Sequence, residues 1–185
     1  MSSSINIPKC FLDVLFTWYS KCFAYVRWGP WGTTISKTFQ LLCGVRQGGG
    51  GVLSPCLFAL FIDSVIQKLR ASGYGSWIGK FYFGCILYAD DILLVSHSIH
   101  VMQLMLDICS KEADNLDFSF NTRKFVVMRI EPRFRHICAP LTLCNAELQY
   151  ADKTKYLGVE LLAARSFKCS FERAKIKFYR CFNAI

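Results

Sequence analysis

The chain has 185 residues, a net charge of +9 and an apolar share of 53%, which allows one domain with its own core and favours a polyanionic partner. No apolar run approaches the roughly 20 residues of a membrane span; the longest obvious one, Cys56–Ile62, stops at Asp63, so no membrane partner is expected. Met1–Asn6 lacks the basic and apolar sections of a secretory leader and the ten cysteines follow no disulfide spacing, which argues against secretion and for an intracellular chain, nuclear or cytoplasmic.

In chain order, Pro8–Tyr19 reads as a short helix opened by proline, with Phe11, Val14, Leu15 and Trp18 on one stripe. Ala24–Trp28 and Ile35–Leu42 read as strands around a Gly29-Pro30-Trp31-Gly32 turn. A glycine-rich loop follows, from Gly44 to Gly51. Ser54 and Pro55 then suggest the N-cap and first residue of a helix whose stripe is Leu57, Phe58, Phe61, Ile62, Val65 and Leu69, closed by Gly73. Ser98 is the expected cap of a second long helix, with Ile99, Met102, Leu106, Cys109 and Ala113 inward and His97 and His100 exposed near its start.

Beyond Phe118–Asn121 a turn leads to Lys124 and a strand over Phe125–Ile130. Short strands are expected around Leu141–Leu143, Leu148–Tyr150 and Tyr156–Val159, and a basic amphipathic helix from Ser166. Its Arg165, Lys168, Arg173, Lys175, Lys177 and Arg180 face only Glu172; a solvated helix face and a phosphate track fit this pattern equally. His136, Cys138 and Cys144 offer neither a CxxC nor a complete ligand set, so no metal site is expected there. Helices mixed with antiparallel strands, without repeat or linker, make the class α+β.

Between the central helices lies Tyr88-Ala89-Asp90-Asp91, flanked by the β-type runs Phe83–Leu87 and Ile92–Val95. This pattern is a hairpin with adjacent carboxylates at its tip. Like charges about 4 Å apart repel by about 4 kcal/mol at an effective dielectric near 20, so a cation must offset them if they converge. Paired divalent ions do so in phosphoryl transfer. On these four residues alone, ordinary solvated turn chemistry is the simpler reading. Gly44-Val45-Arg46-Gln47-Gly48, ahead of Val52-Leu53-Ser54-Pro55, places flexible backbone and a polar side chain before a helix N-terminus. Such a loop suits phosphate or a nucleotide, or is a connector only.

With that loop, the acidic hairpin, Phe120-Asn121 with Lys124, and Tyr156-Leu157-Gly158 in this order, the chain resembles the reverse transcriptases of non-LTR (LINE-type) retrotransposons from about Ile7 to Val159. Ile7-Pro8, Trp18-Tyr19, Val26-Arg27-Trp28 and Phe39 are similar to the family's segment ahead of the loop. The resemblance implies an incomplete polymerase palm over residues 1–164, an antiparallel sheet with helices on one face, and the start of a thumb-like helix over 165–185. Asp90 and Asp91 would be catalytic and hold Mg2+ or Mn2+. Tyr88, Gly44, Gln47 and Gly48 would position nucleotide and template, Lys124 would protonate leaving pyrophosphate if burial tunes it, and Tyr156, Leu157 and Gly158 would grip the primer. The implied partners are an RNA template, a DNA primer, deoxynucleoside triphosphates and the remainder of a parent polyprotein.

Three departures stand against that pattern. The family's further catalytic carboxylate, in an aromatic-Asp stretch followed by Ala-Phe-Asp, is expected upstream of Ile7; Asp13 lacks that context and reads as a polar helix position. The run Gly48–Gly51 holds more glycines than the family places there, and Phe125 stands where a small polar residue commonly follows the lysine. The missing strand is expected to leave an apolar sheet edge open. The expected function is therefore an RNA-directed DNA polymerase fragment that is inactive as this isolated chain. The alternative is a non-catalytic, basic nucleic-acid-binding remnant of a degenerate retroelement.

Overall fold

The computed structural model describes residues 7–42, 53–89, 91–134, 136 and 138–183. The chain divides into Met1–Leu57 and Phe58–Ile185, with the division inside the second helix. Helices and short strands alternate throughout, as expected for a mixed α and β chain.

In the first unit, α1 spans Lys9–Ser20 and follows Pro8, whose φ of −56° and carbonyl suit a helix start: Phe11 and Leu12 donate their N–H to it. The predicted stripe is not covered within this unit, since Phe11, Val14 and Trp18 are exposed and only Leu15 is half-buried. The expected strands are each broken in two. β1 (Phe23–Ala24) and β2 (Arg27–Trp28) pair antiparallel with β4 (Phe39–Gln40) and β3 (Thr34–Ile35), respectively. The break lies at Val26, where the Ser36 hydroxyl accepts the Val26 N–H at 2.9 Å in place of a ladder bond. The tip is a 3-10 turn, Pro30–Gly32, entered at Gly29 with φ 88°. Gln40 ties this ladder to α1 by donating Nε2–H to the Ser20 carbonyl at 2.8 Å. Cys22 is buried, whereas Trp31 is fully exposed.

The core belongs to the second unit. Helix α2 (Leu53–Ala71) buries Ile62, Val65 and Leu69, and α3 (Ile99–Asn115) buries Met105, Leu106, Cys109, Glu112 and Ala113. Ile62, Val65, Leu69, Met105, Leu106 and Cys109 form one cluster with Leu141, Leu143 and Leu148. Gly73 ends α2 at φ 75°, the left-handed conformation expected of a glycine after a helix. The helix already includes Leu53, so Ser54 and Pro55 lie in its first turn and Ser54 is not the N-cap. At α3, Ser98 occupies the cap position but makes no side-chain capping bond; the Ser96 hydroxyl accepts the Ser98 N–H instead, at 3.2 Å.

The strands of this unit form small ladders. β5 (Trp77–Ile78) pairs with β6 (Phe81–Tyr82), and β7 (Cys85–Tyr88) with β8 (Asp91–Leu94). A 3-10 turn over Thr122–Lys124 leads to β9 (Val126–Val127), shorter than the expected strand over Phe125–Ile130. β10 (Thr142–Leu143) and β11 (Ala146–Glu147) make a hairpin held on α3 by the Gln103 amide, which donates to the Thr142 carbonyl and accepts its N–H. β12 (Gln149–Tyr150) lies parallel to β9, an exception to the antiparallel pattern. β13 (Lys153–Tyr156), β14 (Val159–Leu162) and β15 (Lys168–Ser170) form a three-stranded antiparallel sheet. The C-terminal helix α4 starts at Glu172, not Ser166, because residues 168–170 are drawn into pairing with β14.

A charged pair joins the two long helices. Glu112 of α3 is 3% exposed, yet it is ionically paired with Lys68 of α2 and accepts a hydrogen bond from Asn115 at 2.8 Å. These partners satisfy a carboxylate that burial alone would penalise. The Lys68 hydrogen bond outweighs desolvation and holds the Glu112 pKa below its ordinary value.

Candidate active site at the acidic hairpin

The β7–β8 register sets Tyr88 opposite Asp91, Leu87 opposite Ile92, Ile86 opposite Leu93 and Cys85 opposite Leu94. Cys85, Leu87, Ile92 and Leu94 pack on the core, whereas Tyr88 and Asp91 are exposed at the tip. Alternation along the strands thus seats the base of the hairpin and frees its end. The connecting Ala89 takes φ 54°, a left-handed conformation that suits a two-residue hairpin turn but strains a residue with a Cβ. Asp90 lies outside the described residues, as do Gly44, Gln47 and Gly48. Asp91 has no ion-pair partner among the described residues.

Tyr156 ends β13, and the next residues turn the chain: Leu157 has φ 47° and Gly158 φ 85°. Residues expected near a short strand are therefore a strand end and a hairpin tip, a turn of the primed kind. The Tyr156 hydroxyl is buried without a hydrogen-bond partner among the described residues. Its pKa is raised, first by burial, then by the Asp91 carboxylate and the Cys85 thiol. The fold thus brings Tyr156 within electrostatic reach of the acidic hairpin, across a sequence gap that periodicity alone does not bridge. Burial similarly pushes the Cys85 thiol up to about 11, so it faces this region as a neutral group.

Lys124 is exposed on its 3-10 turn rather than buried. The turn itself is anchored by a run of edge-on rings: Phe61–Phe118, Phe118–Phe120 and Phe120–Phe125, with centroids 5.6, 4.9 and 5.6 Å apart. Phe125, a departure in the sequence pattern, is one end of this run. The hairpin ladder β7–β8 has no third strand among the described residues, and Ile86 is exposed beside it.

Residues 2–161 match the family model described as reverse transcriptase (RNA-dependent DNA polymerase). The chain belongs to the reverse transcriptase family. The match includes the acidic hairpin, Lys124 and the β13–β14 turn, and ends before α4. The chain is similar to a retrovirus-related Pol polyprotein from the type-2 retrotransposable element R2DM of Drosophila melanogaster, at 25% identity over 88% of this chain and 16% of the relative. A Pol polyprotein from the type-1 retrotransposable element R2 of Nasonia vitripennis is 30% identical over 63% of this chain and 12% of the relative. The chain therefore spans under a fifth of either relative's length. No solved structure matches it significantly. These relatives identify a reverse transcriptase of the non-LTR kind.

Reverse transcriptases as a family use divalent metal ions. The oxygen donors of Asp91 suit such hard cations. Among the described residues no three His, Cys, Asp or Glu side chains meet as a metal site, so the described residues do not complete one. Among them, too, no helix is long and apolar enough to cross a membrane. Of the remaining sequence features, His100 is exposed in the first turn of α3, and no disulfide joins two of the described cysteines.

Proposed function

We propose that this chain is a palm portion of an RNA-directed DNA polymerase, with residues 1–164 in the palm and 165–185 beginning a thumb. Its reaction, in the complete enzyme, is attack of a primer 3′ hydroxyl on the α-phosphorus of a deoxynucleoside triphosphate, directed by an RNA template, with loss of pyrophosphate. The observation that supports this reading is that Tyr156 lies within electrostatic reach of the Asp91 carboxylate, in a chain whose residues 2–161 match the reverse transcriptase family model. Asp90 and Asp91 would hold Mg2+ or Mn2+, which supplies charge neutralisation at the phosphoryl oxygens and acidifies the primer hydroxyl.

The chain's own groups have distinct tasks in this reading. The exposed Tyr88 ring, across the register from Asp91, supports the primer end and incoming nucleotide. Gly44, Gln47 and Gly48 position template and nucleotide. The solvated Lys124 ammonium donates a proton to departing pyrophosphate, and the Tyr156-Leu157-Gly158 turn holds the primer backbone. Within the 185 residues no stretch supplies the family's further carboxylate, so a polypeptide of these residues alone does not polymerise. Paramagnetic broadening by Mn2+ tests the metal assignment. Proton resonances around Tyr88, Asp91 and Tyr156 are expected to broaden in the unmutated chain and not in Asp90→Asn, Asp91→Asn. Broadening centred elsewhere contradicts it.

A second reading, a non-catalytic nucleic-acid-binding remnant, is favoured by one observation. Lys177 and Arg180 are exposed on α4 without an ion-pair partner among the described residues, while Arg173 and Lys175 only approach Glu160 and Glu172 at 3.8 and 3.5 Å. Such cations fit sequence-independent phosphate contacts whose affinity falls steeply with salt. Filter binding of single-stranded RNA at rising salt checks this, and no retention at low salt removes it.

A further inference from the structure

A second concave site lies away from the acidic hairpin, where the parallel pair β9–β12 meets the open end of the β13–β14 hairpin. It is a cavity of about 640 Å3 lined by Arg129, Tyr150 and Asp152 among others, within the roughly 300–1,000 Å3 of small-ligand sites. Its polar groups are held in place. Tyr150 donates its hydroxyl to the Ala139 carbonyl at 2.9 Å, which fixes the ring while leaving it 40% exposed. Arg129 donates to the His136 carbonyl at 2.6 Å and pairs with Glu131. A guanidinium carries five N–H donors, so these contacts leave donors to spare. Asp152 is fixed through its backbone, whose carbonyl accepts the Ala163 N–H at 2.7 Å. Its exposed carboxylate has neither an ion pair nor a side-chain hydrogen bond among the described residues.

An aromatic face, a carboxylate acceptor and a guanidinium donor around one cavity describe a nucleobase site. The polar pair selects the base. Guanine presents adjacent donors, N1–H and N2–H, that a carboxylate accepts, and on its other edge the acceptors O6 and N7 that a guanidinium satisfies. Adenine would set its N1 lone pair against a carboxylate, and each pyrimidine is smaller and has fewer matching groups. We propose that this cavity binds a guanine base, stacked on Tyr150 between Asp152 and Arg129. The base comes either from single-stranded RNA, which the +9 chain attracts, or from a free guanine nucleotide.

The site is separate from the acidic hairpin and does not depend on polymerase activity. Its test therefore uses the full chain with EDTA present, by calorimetric titration with GMP, AMP, CMP and UMP. GMP is expected to bind tighter than AMP by about tenfold, within the discrimination of a bidentate base contact. Asp152→Asn is expected to remove that preference, and Asp90→Ala, Asp91→Ala to leave it intact. A uridine oligomer containing one guanosine separates the sources: tighter binding than GMP identifies RNA, equal or weaker binding a free nucleotide, and either supports the site. Equal affinities for GMP and AMP, no saturable GMP binding, or a preference that survives Asp152→Asn overturns it.

Discussion

The Asp91 carboxylate lies within electrostatic reach of Tyr156 and adds to burial in pushing the phenol pKa up. The same hydroxyl is buried without a hydrogen-bond partner among the described residues. The fold thus desolvates a polar group at a hairpin end and leaves it unsatisfied among the described residues. A buried unmade hydrogen bond costs about 1–3 kcal/mol, so this arrangement is a destabilising one kept at a candidate active site. Tyr156→Phe is expected to leave stability unchanged or raise it by about 1 kcal/mol. The urea midpoint of the variant checks this, and a clear fall in midpoint would mean that the hydroxyl is bonded.

The two turns carry opposite glycine choices at similar backbone angles. Ala89 sits at φ 54° and Gly158 at φ 85°, with nothing within 4 Å of a Cβ built on Gly158. The left-handed region disfavours a side chain by about 1–2 kcal/mol, partly offset by the greater unfolded-state freedom of glycine. Ala89→Gly should therefore stabilise the chain by about 0.5–1 kcal/mol, and Gly158→Ala should destabilise it by a similar amount. Equilibrium unfolding of both variants measures the pair; two shifts of the same sign would contradict the turn assignment.

Glu112 makes stability depend on acid. Its folded-state pKa lies below the ordinary 4.5 because Lys68 and Asn115 bind the carboxylate. A depressed pKa contributes stability that is present above the unfolded value and is lost as pH falls through the folded one. Unfolding midpoints should therefore decline below about pH 4.5, and Glu112→Gln should flatten that decline. Lys68→Met strands a buried carboxylate and should cost about 2 kcal/mol near neutrality, less than a fully buried pair because the ammonium is half-exposed. A pH profile unaltered by Glu112→Gln would contradict this account.

Local patterns in the sequence located α1, α2, α3 and the acidic hairpin tip, because helix periodicity and turn chemistry act over a few residues, whereas the Leu157-Gly158 tip read as strand. Long-range partners hid the rest. The charge of Glu112 predicts a solvent position, and its burial follows from Lys68, 44 residues away. Residues 168–170 carry no strong strand signal and become β15 only by pairing with β14. Ser98 takes the N-cap position of α3 as expected, though its hydroxyl makes no capping bond. At the candidate site, Tyr88 and Asp91 were legible from alternating apolar runs. The approach of Tyr156 to Asp91 was not legible, since no periodicity links two separate hairpins.

Primer extension tests the central claim most directly: that the acidic hairpin belongs to a polymerase palm which these 185 residues do not complete. The purified chain, folded by circular dichroism, would be given an annealed RNA template and DNA primer, deoxynucleoside triphosphates, and Mg2+ or Mn2+, beside an Asp90→Ala, Asp91→Ala control. The account predicts no template-dependent extension from either protein. Extension by the unmutated chain that vanishes in the control would contradict it, and would show that another group of this chain completes the metal site.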